Sequence, residues 1–155
     1  MEKVRTSLDK KSLTVVCLCL MPNHFHFLLE QLEKGGISSF MQRIGNSYAK
    51  ALNKQRALTG HVFESKYRIK HVDTDNYLIW LSRYIHRNPL EAGIVHACAD
   101  WKYSSYPDHI RGTKNGFVSS SAVLSRFPST DDYRQIVEDE RENEPAGFAK
   151  YLFDE

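Results

Sequence analysis

The run Leu13–Leu20 (LTVVCLCL) is broken only by Thr14. It is too short for a stable helix of its own and is rich in β-branched residues, so it reads as a central strand buried on both faces. Met21-Pro22-Asn23 is turn chemistry. A second strand, His24–Glu30, follows and is expected to pair antiparallel with the first. Side chains alternate along a strand, so Phe25, Phe27 and Leu29 share one face and His24, His26 and Leu28 the other.

Further along, the pattern changes period. Gly35-Gly36 breaks the chain, Ser38 or Ser39 is placed to cap a helix, and apolar residues from Ile37 to Leu52 recur at helical spacing, giving a helix near 38–54. After a break around Gly60, HVFESKYRIKHV alternates in part and reads as one or two short strands with a basic face. Asp73, Thr74 or Asp75 caps a second helix near 74–87, with Tyr77, Leu78, Leu81, Tyr84 and Ile85 as its apolar stripe. Pro89 disfavours helical geometry at Asn88, so this helix is expected to end or bend there. A last helical pattern covers 130–140. Strands and helices in this order predict an α+β fold, an antiparallel sheet with helices packed on it.

At 155 residues the chain is most simply one domain, 1–155. The net charge of +2 names no partner, but its distribution is uneven. Residues 41–72 carry seven Lys/Arg against the single acid Glu64, whereas the chain from Pro128 carries nine Asp/Glu against three Lys/Arg. A basic middle points to an anion such as nucleic acid, or to a solvated helix face. Cys17, Cys19 and Cys98 form no CxxC pair, and an odd number of cysteines fits small buried residues in a reducing cytoplasm. The first eleven residues are polar and charged, unlike a signal peptide. No apolar run approaches the roughly 20 residues that span a membrane.

His24 and His26 are the chemical signal. At positions i and i+2 on a strand, two imidazoles on one side can share a metal ion, and a further oxygen ligand would leave room for Mg²⁺ or Mn²⁺ on a substrate phosphate. The alternative is a pair of hydrogen-bonded surface histidines. Tyr84 and Asn88, one helical turn apart, share a side of their helix. Tyr84 is either a core aromatic or a nucleophile. A phenol ionises only near pH 10, so it needs a metal to polarise the phosphate it attacks. Two imidazoles, a phenol and an amide make a minimal phosphodiester-cleaving set.

CLMPNHFHFLLE, ISSFMQRIGNSYAKALNK, GHVFESKYR, DTDNYLIWLSRYIHRNPLEAGIV and DWKYSSY, in that order, resemble the IS200-type transposases. The resemblance is to the branch associated with repetitive extragenic palindromes, the REP-associated tyrosine transposases, within the HUH endonucleases. It runs from about Leu13 to Tyr106, and more loosely through YRQIVEDE to about Glu140. It implies the ferredoxin-like HUH fold, with a core over about 12–112 and a C-terminal acidic extension over about 113–155. It also implies cleavage and rejoining of single-stranded DNA near hairpins, with Mg²⁺ or Mn²⁺ and no organic cofactor. By position, His24 and His26 match the metal pair. Tyr84 matches the nucleophile that takes the 5′ phosphate and releases a 3′ hydroxyl, and Asn88 matches a further polar metal ligand. His86 is expected to point elsewhere.

Arg43, Lys50, Lys54, Lys66, Arg68 and Lys70 are candidates for holding phosphates. Tyr48, Phe63 and Tyr67 either stack on unpaired bases or belong to the core. Family members begin with a strand and a helix before the apolar strand, and here only Met1–Ser12 precede it. The fold is therefore expected to be N-terminally shortened. A partner or another part of the chain could supply the missing edge of Leu13–Leu20, and that edge is expected to be exposed or paired in a homodimer. An inactive DNA-binding remnant is the alternative to an active transposase, and an unrelated metalloprotein using His24 and His26 is a third.

Overall fold

A computed structural model of the protein describes residues 1–112 and 118–139. Of the acidic segment expected over 113–155, residues 113–117 and 140–155 lie outside the described residues. The fold is α+β: a two-stranded antiparallel sheet with helices packed around it. The strands are β1 (Leu13–Leu20) and β2 (Phe25–Gln31). The described helices are α1 (Glu2–Ser7), α2 (Gly36–Arg56), α3 (Asp75–Glu91), α4 (Tyr106–Arg111), α5 (Ser121–Leu124) and α6 (Thr130–Glu138), with a 3₁₀ turn at Cys98–Asp100. None of them is long and apolar enough to cross a membrane.

The chain forms two compact units, Met1–Thr14 with Glu30–Ile69, and Val15–Leu29 with the chain from Lys70 onward. In the first, α1 packs on α2. The start of α2 differs from the expected serine cap. Gly35 caps it with a left-handed backbone (φ 81°), and the Ile37 amide is taken by the Gln31 side chain at 3.2 Å. Two glycines are needed for two reasons. Gly35 supplies the positive φ. Gly36 is buried so closely against the backbone carbonyl of Ser12 that a Cβ would run into it. That same carbonyl accepts from the amides of Leu32 and Glu33, which fixes the exit from β2.

The segment after α2 corrects another expectation. HVFESKYRIKHV forms no strand; residues 57–74 are irregular. Its partial alternation places side chains against α2 instead. The Leu58 amide donates to the Asn53 carbonyl, Asn53 Nδ2 donates to Gly60 O at 3.0 Å, and the rings of Phe63 and Tyr48 lie 5.8 Å apart. The Tyr67 hydroxyl donates to Ser38 Oγ at 3.4 Å.

In the second unit, β1 is buried as its composition requires; Val15, Cys17, Leu18 and Cys19 are fully enclosed. Its edge away from β2 was expected to be open or paired with a second copy, and that is corrected. Val118 bridges Val15 in parallel, Ser104 bridges Cys19 in antiparallel, and the Leu20 amide donates to Tyr103 O. Ser105 Oγ accepts from the Leu18 amide at 2.9 Å and donates to the Leu18 carbonyl, and Trp101 Nε1 donates to Leu20 O. The segment DWKYSSY thus supplies the hydrogen bonds that a neighbouring strand would otherwise provide.

Helix α3 starts where Thr74 accepts from the Tyr77 amide at 3.2 Å, a side-chain N-cap. It runs through Pro89 to Glu91 rather than ending at Asn88. Proline so near the end costs little of the helix, and the turn beyond it closes through Ala92 N to Asn88 O and Ile94 N to Pro89 O. The buried arginines Arg83 and Arg87 donate to the carbonyls of Ile136, Val137 and Asp139. These are the last carbonyls of α6 and the residue after it, where a helix dipole favours cations. The packing of α6 therefore sets which face of α3 turns to the hairpin.

Candidate active site

His24 stands just before β2 and His26 is its second residue, so alternation puts both rings on one side. Their centroids lie 4.8 Å apart, edge to face. The Asn23 side chain sets the tautomer of His24. Asn23 Oδ1 can only accept, so Nδ1 of His24 carries the proton it donates across 2.8 Å, and Nε2 keeps its lone pair. A histidine held by its other nitrogen in this way has the usual arrangement of a metal ligand.

Tyr84 comes to this pair from α3. Its ring meets the edge of His26 at 5.5 Å between centroids, with planes at 81°. Trp80, one turn earlier, stacks on Tyr84 at 5.6 Å and 14°. Tyr84 is half-buried, neither fully enclosed core nor loose surface. Trp80 had no place in the expected stripe, although its i, i+4 spacing to Tyr84 was a legible signal. Asn88 continues the row Trp80–Tyr84–Asn88 one turn further and is half-buried.

Burial and the neighbouring His24 push the His26 imidazole down to about 4, so it is neutral at neutral pH. Its Nε2 is buried and has no hydrogen-bond partner among the described residues. A buried, neutral imidazole nitrogen without a partner is costly unless something else occupies it. The pair His24 and His26 therefore fits the divalent ion that the resemblance implies.

A second cluster, unmarked by any local pattern, lies inside the same unit. Cys17, His86 and His109 each bring one ligand atom within 4.8 Å of the others, a group able to hold a metal ion. All three are buried, and each already has hydrogen-bond partners. His109 Nδ1 donates to Ser105 O at 3.1 Å, so its Nε2 accepts from the Cys17 thiol at 3.5 Å. Ser105 Oγ donates to Leu18 O, which makes His86 Nε2 the donor to Ser105 Oγ at 2.9 Å. His86 Nδ1 then accepts from the Tyr133 hydroxyl at 2.7 Å. As expected, His86 points away from His24 and His26. Sequence reading missed the network because all but one of its bonds join residues 19 or more apart, up to 92 for Cys17 and His109.

Within the first unit, the candidate phosphate-holding residues fall on two sides of α2. Arg43, Lys50 and Lys54, at i, i+7 and i+11 of α2, are exposed and lie within about 40° of one another around the helix. Lys66 and Arg68 are exposed on the irregular segment that packs on another side of α2. Lys70 is half-buried and begins the second unit.

No curated protein and no solved structure matches the chain. The family model of the IS200-like transposases matches residues 1–88, more than half of the chain and a span that includes His24, His26, Tyr84 and Asn88. The protein therefore belongs to the IS200-like transposase family.

Proposed function

We propose that the protein cleaves and rejoins single-stranded DNA near hairpins, with Tyr84 as nucleophile and His24, His26 and Asn88 as the residues that hold Mg²⁺ or Mn²⁺. The carrying observation is the buried Nε2 of His26, without a hydrogen-bond partner among the described residues, beside the Tyr84 ring. A divalent ion bound there would polarise the phosphate oxygens and stabilise the charge they gather.

The chain's own residues do the rest. Trp80 and His26 hold the Tyr84 ring between a face and an edge, which spares the phenol much of its orientational freedom before reaction. The Tyr84 oxygen attacks the phosphorus and gives up its proton to water, and the departing 3′ oxygen takes a proton from water to leave as a hydroxyl. A Tyr84–phosphate bond forms at the 5′ side, and the bond to the departing 3′ oxygen breaks. Attack by a 3′ hydroxyl on the phosphotyrosine reverses the step and rejoins the strand. Arg43, Lys50 and Lys54 are suited to hold phosphates along one exposed stripe, which positions the strand without reading its sequence. The three cysteines are unpaired and buried, in keeping with work in the reducing cytoplasm.

The test is incubation of end-labelled single-stranded DNA carrying a hairpin with Mg²⁺, with Mn²⁺ and with chelator. Cleavage and a covalent protein–DNA adduct are expected with metal only. Binding without an adduct under either metal identifies a DNA-binding remnant instead.

A further inference from the structure

Within the first unit, the irregular stretch Leu58–Ile69 lies along α2 as a strap. Its contacts run in order. Gly60 meets Asn53, Phe63 meets Tyr48 and lies beside Gly45, and Tyr67 meets Ser38. The strap therefore travels antiparallel to the helix. The strap bends at Gly60, Val62, Glu64 and Ser65 as it goes, and it leaves its rings at the surface rather than folding them into a core.

The exposures bear this out. Tyr48 is 44% exposed, Phe63 39% and Tyr67 40%, with Leu58 and Ile69 exposed beside them. Apolar surface gathered in one place on a small protein marks a binding site. Lys66 and Arg68 are exposed on the same strap, Arg56 is exposed at the end of α2, and Glu64 is the only acid in residues 41–72. Aromatic faces among cations suit one class of ligand, a strand of unpaired nucleotides. Bases stack on rings whatever their sequence, and cations track the phosphates. The stripe Arg43, Lys50 and Lys54 is a separate surface, about 120–160° around α2 from Tyr48.

We propose that the face formed by α2 and the strap binds an unpaired nucleic-acid strand, its bases stacking on Tyr48, Phe63 and Tyr67 and its phosphates on Lys66 and Arg68. The proposal rests on DNA being the substrate and adds a contact that takes no part in cleavage.

The test is fluorescence anisotropy of a labelled oligothymidylate in chelator, with the full chain and with Tyr84→Phe, so that cutting plays no part. Phe63→Leu and Tyr48→Leu keep apolar bulk but lose the ring face, and each should weaken binding roughly 5- to 100-fold. Phe63→Tyr and Tyr48→Phe should bind like the parent chain. The double change Lys66→Gln with Arg68→Gln should lower the slope of log affinity against log salt by about 1.4. Thermal melting checks that each leucine variant is folded, and if one is not, the salt slope decides. Leucine variants that are folded and bind like the parent, or a blunt duplex that competes as well as the single strand, would overturn the proposal, as would an unchanged salt slope. Binding that follows these expectations without any cleavage under metal would sink the catalytic reading and leave this one standing.

Discussion

The edge of the His26 imidazole meets the Tyr84 ring at 5.5 Å between centroids and 81° between planes. The two residues are far apart in the sequence, one on β2 and the other on α3. Their meeting places a phenol beside a neutral, half-buried imidazole whose Nε2 is enclosed.

Tyr84→Phe should abolish both cleavage and the covalent adduct, while binding of DNA remains. The Trp80 stack and the His26 edge contact need only the ring, so the unfolding free energy should change by less than about 1 kcal/mol. Gel analysis of the adduct and urea titration check the two halves. An adduct that persists in Tyr84→Phe moves the nucleophile elsewhere.

Tyr133→Phe should be more damaging to stability than its one lost oxygen suggests. That hydroxyl serves His86 Nδ1 at 2.7 Å and reaches Ser82 Oγ at 3.3 Å, all in a buried setting. Leaving the imidazole nitrogen unsatisfied costs about 1–3 kcal/mol. A urea midpoint within error of the parent chain contradicts the network.

Acid should destabilise the fold well before carboxylates matter. Burial holds the His109 imidazole down to about 4, against the opposing pull of the Ser105 carbonyl. Burial and the neighbouring His109 hold His86 well below its usual range. The unfolded chain takes up these protons near pH 6.5, and the fold does not. Stability is therefore full above about pH 6.5, falls as the pH drops, and levels off for His109 below about 4. Melting temperatures at pH 7.5, 6 and 5 should decrease in that order; a flat series refutes the account.

Gly36→Ala and Gly45→Ala lie in the same helix and should differ in sign. The first drives a Cβ into the Ser12 carbonyl and should cost about 2 kcal/mol or more. The second meets only Phe63 Cε2 at 3.9 Å, an ordinary contact. Alanine also favours the helix by roughly 0.5–1 kcal/mol over glycine, so Gly45→Ala should be neutral or stabilising. Equal melting temperatures for the two variants refute the close approach at Gly36.

The thiols should be inert in the native protein. Burial pushes Cys17 and Cys98 up and Cys19 up to about 12, which disfavours the thiolate at all three. Reaction with a disulfide reagent should wait for urea. Rapid release from any one of the three in the folded state shows that the core is more open than described.

The strand β1, the hairpin turn, the i, i+2 pair of histidines and helices α2 and α3 were legible in the sequence within a few residues. Each depends on local periodicity and on residues whose own chemistry marks a turn or a break. The helix after Gly35-Gly36 could be placed, but not its cap. The cap depends on Gln31 and on the Ser12 carbonyl, which come from elsewhere in the chain. HVFESKYRIKHV alternates like a strand, yet finds a helix rather than another strand to lie on, and alternation alone does not say which. The covered edge of β1 was illegible for the same reason: it is Ser104, Ser105 and Val118, far along the chain, that reach it. Sequence determined which side chains could do chemistry. Tertiary packing decided that Tyr84 faces His26 while His86, two residues on, turns inward to Tyr133 and Ser105. A helix offers both faces equally, and the burial of Arg83, Arg87 and His86 against α6 and its neighbours helps fix how α3 is rotated.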